Sequence, residues 1–294
     1  MPLPTYLTTA EVAGYLRLKE RKVYDLVSQG MIPCVRITGK LLFPRQRIDL
    51  WLMNHLEGDD GVGAPTQPVL VGSQDPLLEW AAKESGAELA LLCQGSGDGV
   101  QRLIAGRAMV AGMHIWHGES QRYNDPAMLG LGGMRDLVLI RWVKRTQGLL
   151  VAGDNPYRIA GLDDLARPGV RVAHRQPDAG VTHLVHSLLV RHGMDARTLR
   201  WADHPSLSED DLALSIRQGE ADVGVGIEAA ARRQGLAFIP LQQEHFDLAM
   251  RRRHYFEPAL QRLLAFARSE RFVRRAEALG GYDVSELGEV VYNA

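Results

Sequence analysis

The chain has 294 residues, 46% hydrophobic and 23% charged, with a formal net charge of −1, the make-up of a globular protein with room for about two domains. No apolar run nears the roughly 18 residues of a membrane span. No basic-then-apolar signal peptide opens the chain, and two cysteines, Cys34 and Cys93, make no disulfide framework. A cytoplasmic location without a membrane partner is therefore expected.

Thr8 and Glu11 stand three residues apart ahead of an apolar run, the spacing of a capping box, and predict a helix start. Val12, Tyr15 and Leu16 then share one helix face. A second stripe of Val23, Leu26 and Val27 ends at Gly30, a residue suited to a helix stop. Two short helices with a tight connection make a helix-turn-helix. Residues 32–37 read as a strand, 38–40 as a turn and 41–43 as the returning strand. Residues 45–56 read as a third helix with Ile48, Leu50, Trp51 and Leu52 inward.

Residues 1–56 hold eight Lys/Arg against four acids, a balance of +4, so residues 57–294 carry −5. A basic head on an acidic body suits a protein whose head alone meets DNA. Arg21, Lys22 and Tyr24 fall early on the second helix, where base edges are met in a major groove. Arg36 and Lys40 lie in the strand pair, where phosphate or minor-groove contact is expected; Arg17 and Lys19 complete the candidate DNA-binding set. The alternative for each is an ordinary solvated charge.

The runs Tyr6–Ala13, Val23-Tyr24, Gly30–Pro33 and Ile48–Leu52 together resemble the excisionase-like branch of the MerR winged-helix family. That resemblance implies a small winged helix-turn-helix domain at 1–56. The family places Ser or Thr before the second helix, where this chain has Lys19, which points to a looser start or a phosphate-contacting lysine.

Residues 57–68 are rich in Gly, Asp and Pro without an apolar period and read as a flexible linker. From residue 69 the chain alternates apolar runs with helical stretches. Strands are expected at 68–72, 88–93, 109–114, 137–140, 170–173, 221–225 and 236–241, with helices at 75–85 and 99–105. Strand–helix alternation with short loops predicts an α/β fold with mostly parallel sheets. Ligands of such folds sit at the carboxyl ends of strands, where helix N-termini point backbone N–H groups into a crevice. The junctions 72–75, 94–99 and 174–182 offer small hydroxyl and glycine residues, which suit an anion. The candidate ligand-binding residues are Ser73, Ser96, Gly97, His114, Arg175, Gln176, Gly180, Thr182 and Gly226. For any one junction alone, a helix cap or turn is the simpler reading.

Gly95–Gly99, Ala111–Ile115, Arg145–Leu149, Asn155-Pro156, Leu162–Leu165, Arg175-Gln176, Gly219–Ile227 and Gly281-Tyr282 give residues 69–294 a similarity to the periplasmic-binding-protein-like domain of bacterial regulators and molybdate-related proteins. It implies two α/β lobes that close on a small ligand, and its link to molybdate or tungstate makes an oxyanion the natural effector. The loop departs from the pattern: His174 replaces an expected Asn, and Asp178 brings a carboxylate where a glycine is expected. Like-charge repulsion there makes a monoanion such as formate a competitor.

Other motifs carry less. Gly224–Ala229 matches a variant dinucleotide fingerprint, with Glu244 near the ribose-binding spacing, and supports a rival reading as a nucleotide-binding enzyme with a DNA-targeting head. His114/His117 and His183/His186 have metal-ligand spacing without a carboxylate or Cys cluster to complete a site. P-loop and nucleophile-elbow motifs are absent. Asp163-Asp164 reads as a helix cap, and the basic run 251–254 as solvated surface. The combined expectation is a non-enzymatic, ligand-responsive regulator without a cofactor. It would bind a double-stranded operator as a dimer or higher homo-oligomer.

Overall fold

The computed structural model describes residues 5–37, 39–54 and 67–294. The chain divides into two compact units, residues 1–65 and 66–294. Thr38 and most of the expected linker, 57–66, lie outside the described residues.

The first unit runs β1 (Tyr6–Leu7), α1 (Thr9–Tyr15), α2 (Glu20–Ser28), β2 (Val35–Ile37), β3 (Lys40–Pro44) and α3 (Arg45–Asn54). Both bonds of the capping box form: Thr8 Oγ1 accepts from Glu11 N at 3.3 Å and Glu11 Oε2 accepts from Thr8 N at 2.8 Å. Lys19 occupies the cap position of α2 and makes no side-chain cap bond. Gly30 takes φ +66° beyond the end of α2. The strands pair antiparallel in the order β1-β3-β2, and Leu7, Val12, Val23, Leu26, Ile32, Phe43 and Ile48 form the core.

Three expectations change here. The strand at 32–37 shortens to Val35–Ile37, because Pro33 has no N–H for a ladder. Tyr15 is exposed and its hydroxyl donates to Asp49 Oδ1 at 2.7 Å. Leu52 is also exposed; the inward face of α3 carries Ile48 and Trp51, whose indole donates to Met31 O. The Leu50 side chain lies outside the described residues.

In the second unit β4 (Val69–Gly72), α4 (Pro76–Glu84), β5 (Ala90–Leu92), α5 (Ser96–Ile104) and β6 (Val110–Met113) build one parallel cluster. A hairpin of β7 (Trp116–His117) and β8 (Arg122–Tyr123) follows, then the long β9 (Leu137–Val151). The second parallel cluster comprises β10 (Arg171–Ala173), α6 (Gly180–Arg191), β11 (Arg200–Trp201), α7 (Glu209–Arg217), β12 (Val223–Ile227) and α8 (Glu228–Gln234). β13 (Ala237–Arg251) returns antiparallel to β9 along its length. After a helical stretch, β14 (Tyr282–Asp283) and β15 (Val290–Asn293) add to β9. The order is β11-β10-β12-β9-β13-β6-β4-β5. Each parallel cluster with its helices forms a lobe, and β9 and β13 belong to both.

The expected mostly parallel sheet is therefore corrected to a mixed one, since β12–β9, β9–β13 and β13–β6 all pair antiparallel. Alternation along β9 explains its double burial. Leu149 and Val151 enter one core with Val172, Leu184 and Val223, while Leu150 enters another with Trp142, Phe246 and Leu260. Each such side chain contributes about 1.5–3 kcal/mol by burial. Helix α5 begins at Ser96, not at Gly99. Gly95 turns the chain at φ +116°, and a Cβ on Gly99 would lie 2.4 Å from Gly72 Cα. The glycines that read as loop are what lets this helix lie directly on β4.

Candidate functional site

In the head, all seven candidate DNA residues are exposed: Arg17, Lys19, Arg21, Lys22, Tyr24, Arg36 and Lys40. None is ion-paired to another described residue. Arg21 and Tyr24 lie on the solvent side of α2, opposite the buried Val23 and Leu26. Arg17 holds the turn between α1 and α2 at φ +53°, a left-handed conformation uncommon outside glycine.

In the body, the carboxyl ends of β4, β6 and β10 converge on an enclosed cavity between the lobes. One lobe supplies Ser73, Gln74, Cys93, Gly95 and His114; the other supplies Arg175, Gln176, Ala179, Leu207 and Glu209. The cavity volume is about 10 Å³, room for about one water-sized centre. The N-termini of α5 and α6 stand at this junction, and neither cap residue, Gly95 or Ala179, supplies a side-chain bond. Helix ends of this kind favour negative charge. Burial pushes the Cys93 thiol up to about 12, which keeps it protonated and unreactive.

Beneath the cavity lies a buried ionic network. His114 Nδ1 is 2.8 Å from Glu244 Oε2, and Arg145 Nε donates to Glu244 Oε1 at 2.6 Å. Arg145 Nη1 also donates to Asp75 Oδ2 at 3.1 Å, and Tyr282 Oη donates to the same oxygen at 2.8 Å. Asp75 Oδ1 caps α4 by accepting from Leu78 N at 2.7 Å. Burial by itself would raise the Glu244 carboxyl, but Arg145 and His114 outweigh it and hold it at about 2. Burial and Asp75 together keep the Tyr282 phenol protonated. The Arg145 guanidinium lies 4.6 Å from the centroid of the Phe246 ring, on which the His114 ring also stacks at 5.7 Å. The network thus joins a cavity-lining imidazole to both long strands.

Of the candidate ligand residues, Ser73, His114, Arg175 and Gln176 line the cavity. Ser96 stands behind them, its Oγ 2.7 Å from Ser73 Oγ. Gly180 packs its Cα against the His114 ring, and Gly226 lies beside Glu209 Oε2. The Gly97 N–H donates to Asp178 O across the lobes. The Thr182 hydroxyl donates to Gln176 O, and Thr182 lines a separate open groove of about 500 Å³ with Trp116, His117, Met128, His183 and His186. Burial lowers the His117 and His183 pKa values. Among the described residues no three His, Cys, Asp or Glu side chains are placed to hold a metal ion.

The dinucleotide reading loses its residues to packing. Gly224 makes room for Leu212 and Ala173, and Glu244 is fully buried in the ionic network. Sequence reasoning missed Glu209, which faces Arg175 from the first turn of α7. It also missed Asp75 as a partner of Arg145, and Tyr282 as a partner of Asp75. Among the described residues no helix is long and apolar enough to cross a membrane.

Comparison with known proteins agrees with this architecture. The helix-turn-helix domain description matches residues 6–55, and the PBP superfamily domain matches residues 78–268. The chain is 24% identical over 301 residues to the uncharacterized protein YvgK of Bacillus subtilis, covering 97% of each. It is 30% identical over 100 residues to an uncharacterized protein encoded in the 5′ region of a 2Fe-2S ferredoxin gene of Clostridium pasteurianum, covering 34% of this chain and 88% of that one. Among solved structures, a protein described as a phosphate ABC transporter substrate-binding protein with bound phosphate, from Clostridium perfringens, shares the fold. It shows TM-score 0.53 and 13% identity over 76% of this chain and 98% of that one. An H2O2-bound OxyR mutant from Corynebacterium glutamicum matches at TM-score 0.50 and 13% identity, over 92% of this chain and 89% of its own. With its larger unit matched over more than half of the chain, the protein belongs to the PBP superfamily domain family and carries a helix-turn-helix domain at its N-terminus.

Proposed function

We propose that the protein is a transcriptional regulator whose head binds an operator and whose body senses a small anion. The observation that carries this reading is the enclosed inter-lobe cavity. Hydroxyl, amide, imidazole and guanidinium groups and one carboxylate, Glu209, line it, and two helix N-termini without side-chain caps stand at its wall. Molybdate and tungstate on one side, and formate on the other, set the size range of the effector. Arg21, Lys22 and Tyr24 would meet bases, while Arg17, Lys19, Arg36 and Lys40 would meet phosphates. One short recognition helix contacts few base pairs, so a dimer on two half-sites is the expected binding form. Anion binding shifts the balance between lobe arrangements only if it favours one of them, and that difference is what reaches the heads.

Thermal melting of the full chain with each anion tests the sensing half, because a ligand of the native state raises the melting temperature. Gel shift with and without the stabilising anion tests the coupling. Identical DNA affinity in both conditions would remove the regulatory reading.

A further inference from the structure

Within the reading that the cavity takes a small anion, Glu209 decides which kind. Its side chain is buried and lines the cavity. Oε1 accepts from Arg175 Nη1 at 2.9 Å, while Oε2 is buried without a hydrogen-bond partner. A buried carboxylate oxygen left unpaired is costly. Gly226 holds the space beside it: a Cβ there would lie 2.9 Å from Oε2.

Arg175 is not a free cation. Its Nε donates to Ser206 O and Gln176 Oε1, its Nη1 to Glu209 and its Nη2 to Leu207 O. The buried side chains at and beneath the cavity include two guanidiniums, Arg145 and Arg175, against three carboxylates, Asp75, Glu209 and Glu244. A fully deprotonated anion entering here meets no surplus positive charge on these groups. It would also set an oxygen against Glu209 with no proton between them.

We infer that Glu209 makes the cavity selective for a small anion that carries its own hydrogen-bond donor, an O–H or N–H that the Glu209 carboxylate accepts. Such a donor forms a charge-assisted hydrogen bond with the carboxylate. A site built to hydrogen-bond a ligand hydroxyl rejects the analogue that lacks it by large factors. Molybdate, tungstate and formate, which bring no such donor near neutral pH, are therefore disfavoured.

Calorimetric titration of the full-length protein at pH 7.5 tests this with pairs matched in size. The pairs are phosphate with sulfate, arsenate with selenate, and glycolate with propionate. The first of each pair carries an O–H, and it is expected to bind about 100-fold more tightly in any pair that binds. Glu209→Gln supplies an amide that can donate, and should cut that preference to about tenfold or less. Equal affinity within every pair that binds, or tighter binding of the second member, overturns the inference alone. So does a preference that Glu209→Gln leaves unchanged. Molybdate, tungstate and formate are titrated beside them: binding of one of these three and of none of the six overturns the inference alone, and binding of none of the nine removes the small-anion reading and this inference with it. If Glu209→Gln fails to melt cooperatively, the wild-type pairs decide by themselves.

Discussion

Arginine is used in opposite ways in the two units. In the head, Arg17, Arg21 and Arg36 are exposed and not ion-paired to described residues, so their charge is available to a phosphate backbone. In the body, Arg141, Arg145 and Arg175 are buried, and each has a carboxylate partner. A surface arginine that meets DNA contributes through counterion release and is tunable by salt. A buried one is locked into the fold, and its loss strands its partner. The same residue type is therefore open to an outside partner at these positions of the head and locked into the fold at these positions of the body.

Arg145→Met should break that contrast most sharply. It leaves Glu244 and Asp75 buried without their shared cation, and loss of one partner of a buried pair costs about 3–5 kcal/mol. Urea unfolding followed by tryptophan fluorescence would show it. An unchanged midpoint would mean that the network is not structural. Gly99→Ala, which sets a methyl against the backbone of Gly72, should cost about 1–3 kcal/mol in the same assay.

Substitutions in the head sharpen the contrast from the other side. Lys19→Ala or Arg36→Ala should leave the unfolding midpoint alone. Each should make the slope of log affinity against log salt shallower by about one, the share of a single neutralised phosphate. A slope that does not move would assign that side chain to solvent.

The smallest expected effect is in acid. His183 lies below the ordinary histidine value because it is buried. Below pH 6.5 the unfolded chain therefore takes up a proton that the native state resists, and stability falls as pH drops. Glu244, held at about 2 from an ordinary 4.5, contributes stability that is fully present above about pH 4.5 and lost as pH falls through its folded value. His183→Gln should make the fall in melting temperature between pH 6.5 and 5 shallower, the rest belonging to His117, His245 and His254, which burial also lowers, and leave the steeper loss below pH 4.5. An unchanged slope in the upper window would contradict the assignment to His183.

The head was legible because its signals are local. Thr8 and Glu11 sit three residues apart, and Val23 and Leu26 share one helical face. The cavity was half legible. Ser73, His114, Arg175 and Gln176 follow strand ends, which the α/β rule singles out. Glu209 did not show, because an acid in the first turn of a helix is ordinary and its partner Arg175 lies 34 residues away. The long strands were truncated for the same reason. Arg141 and Arg145 interrupt the apolar pattern of β9, and only pairing with Asp247 and Glu244 across β13 makes their burial affordable.

An anion bound in the body is expected to change what the head does on DNA. The most direct measurement is fluorescence anisotropy of the full-length protein on DNA from upstream of its own gene, at fixed salt, with and without the anion that most raises its melting temperature. An affinity change of about fivefold or more is expected, the lower range of allosteric coupling. Equal affinity across a saturating anion titration would contradict it.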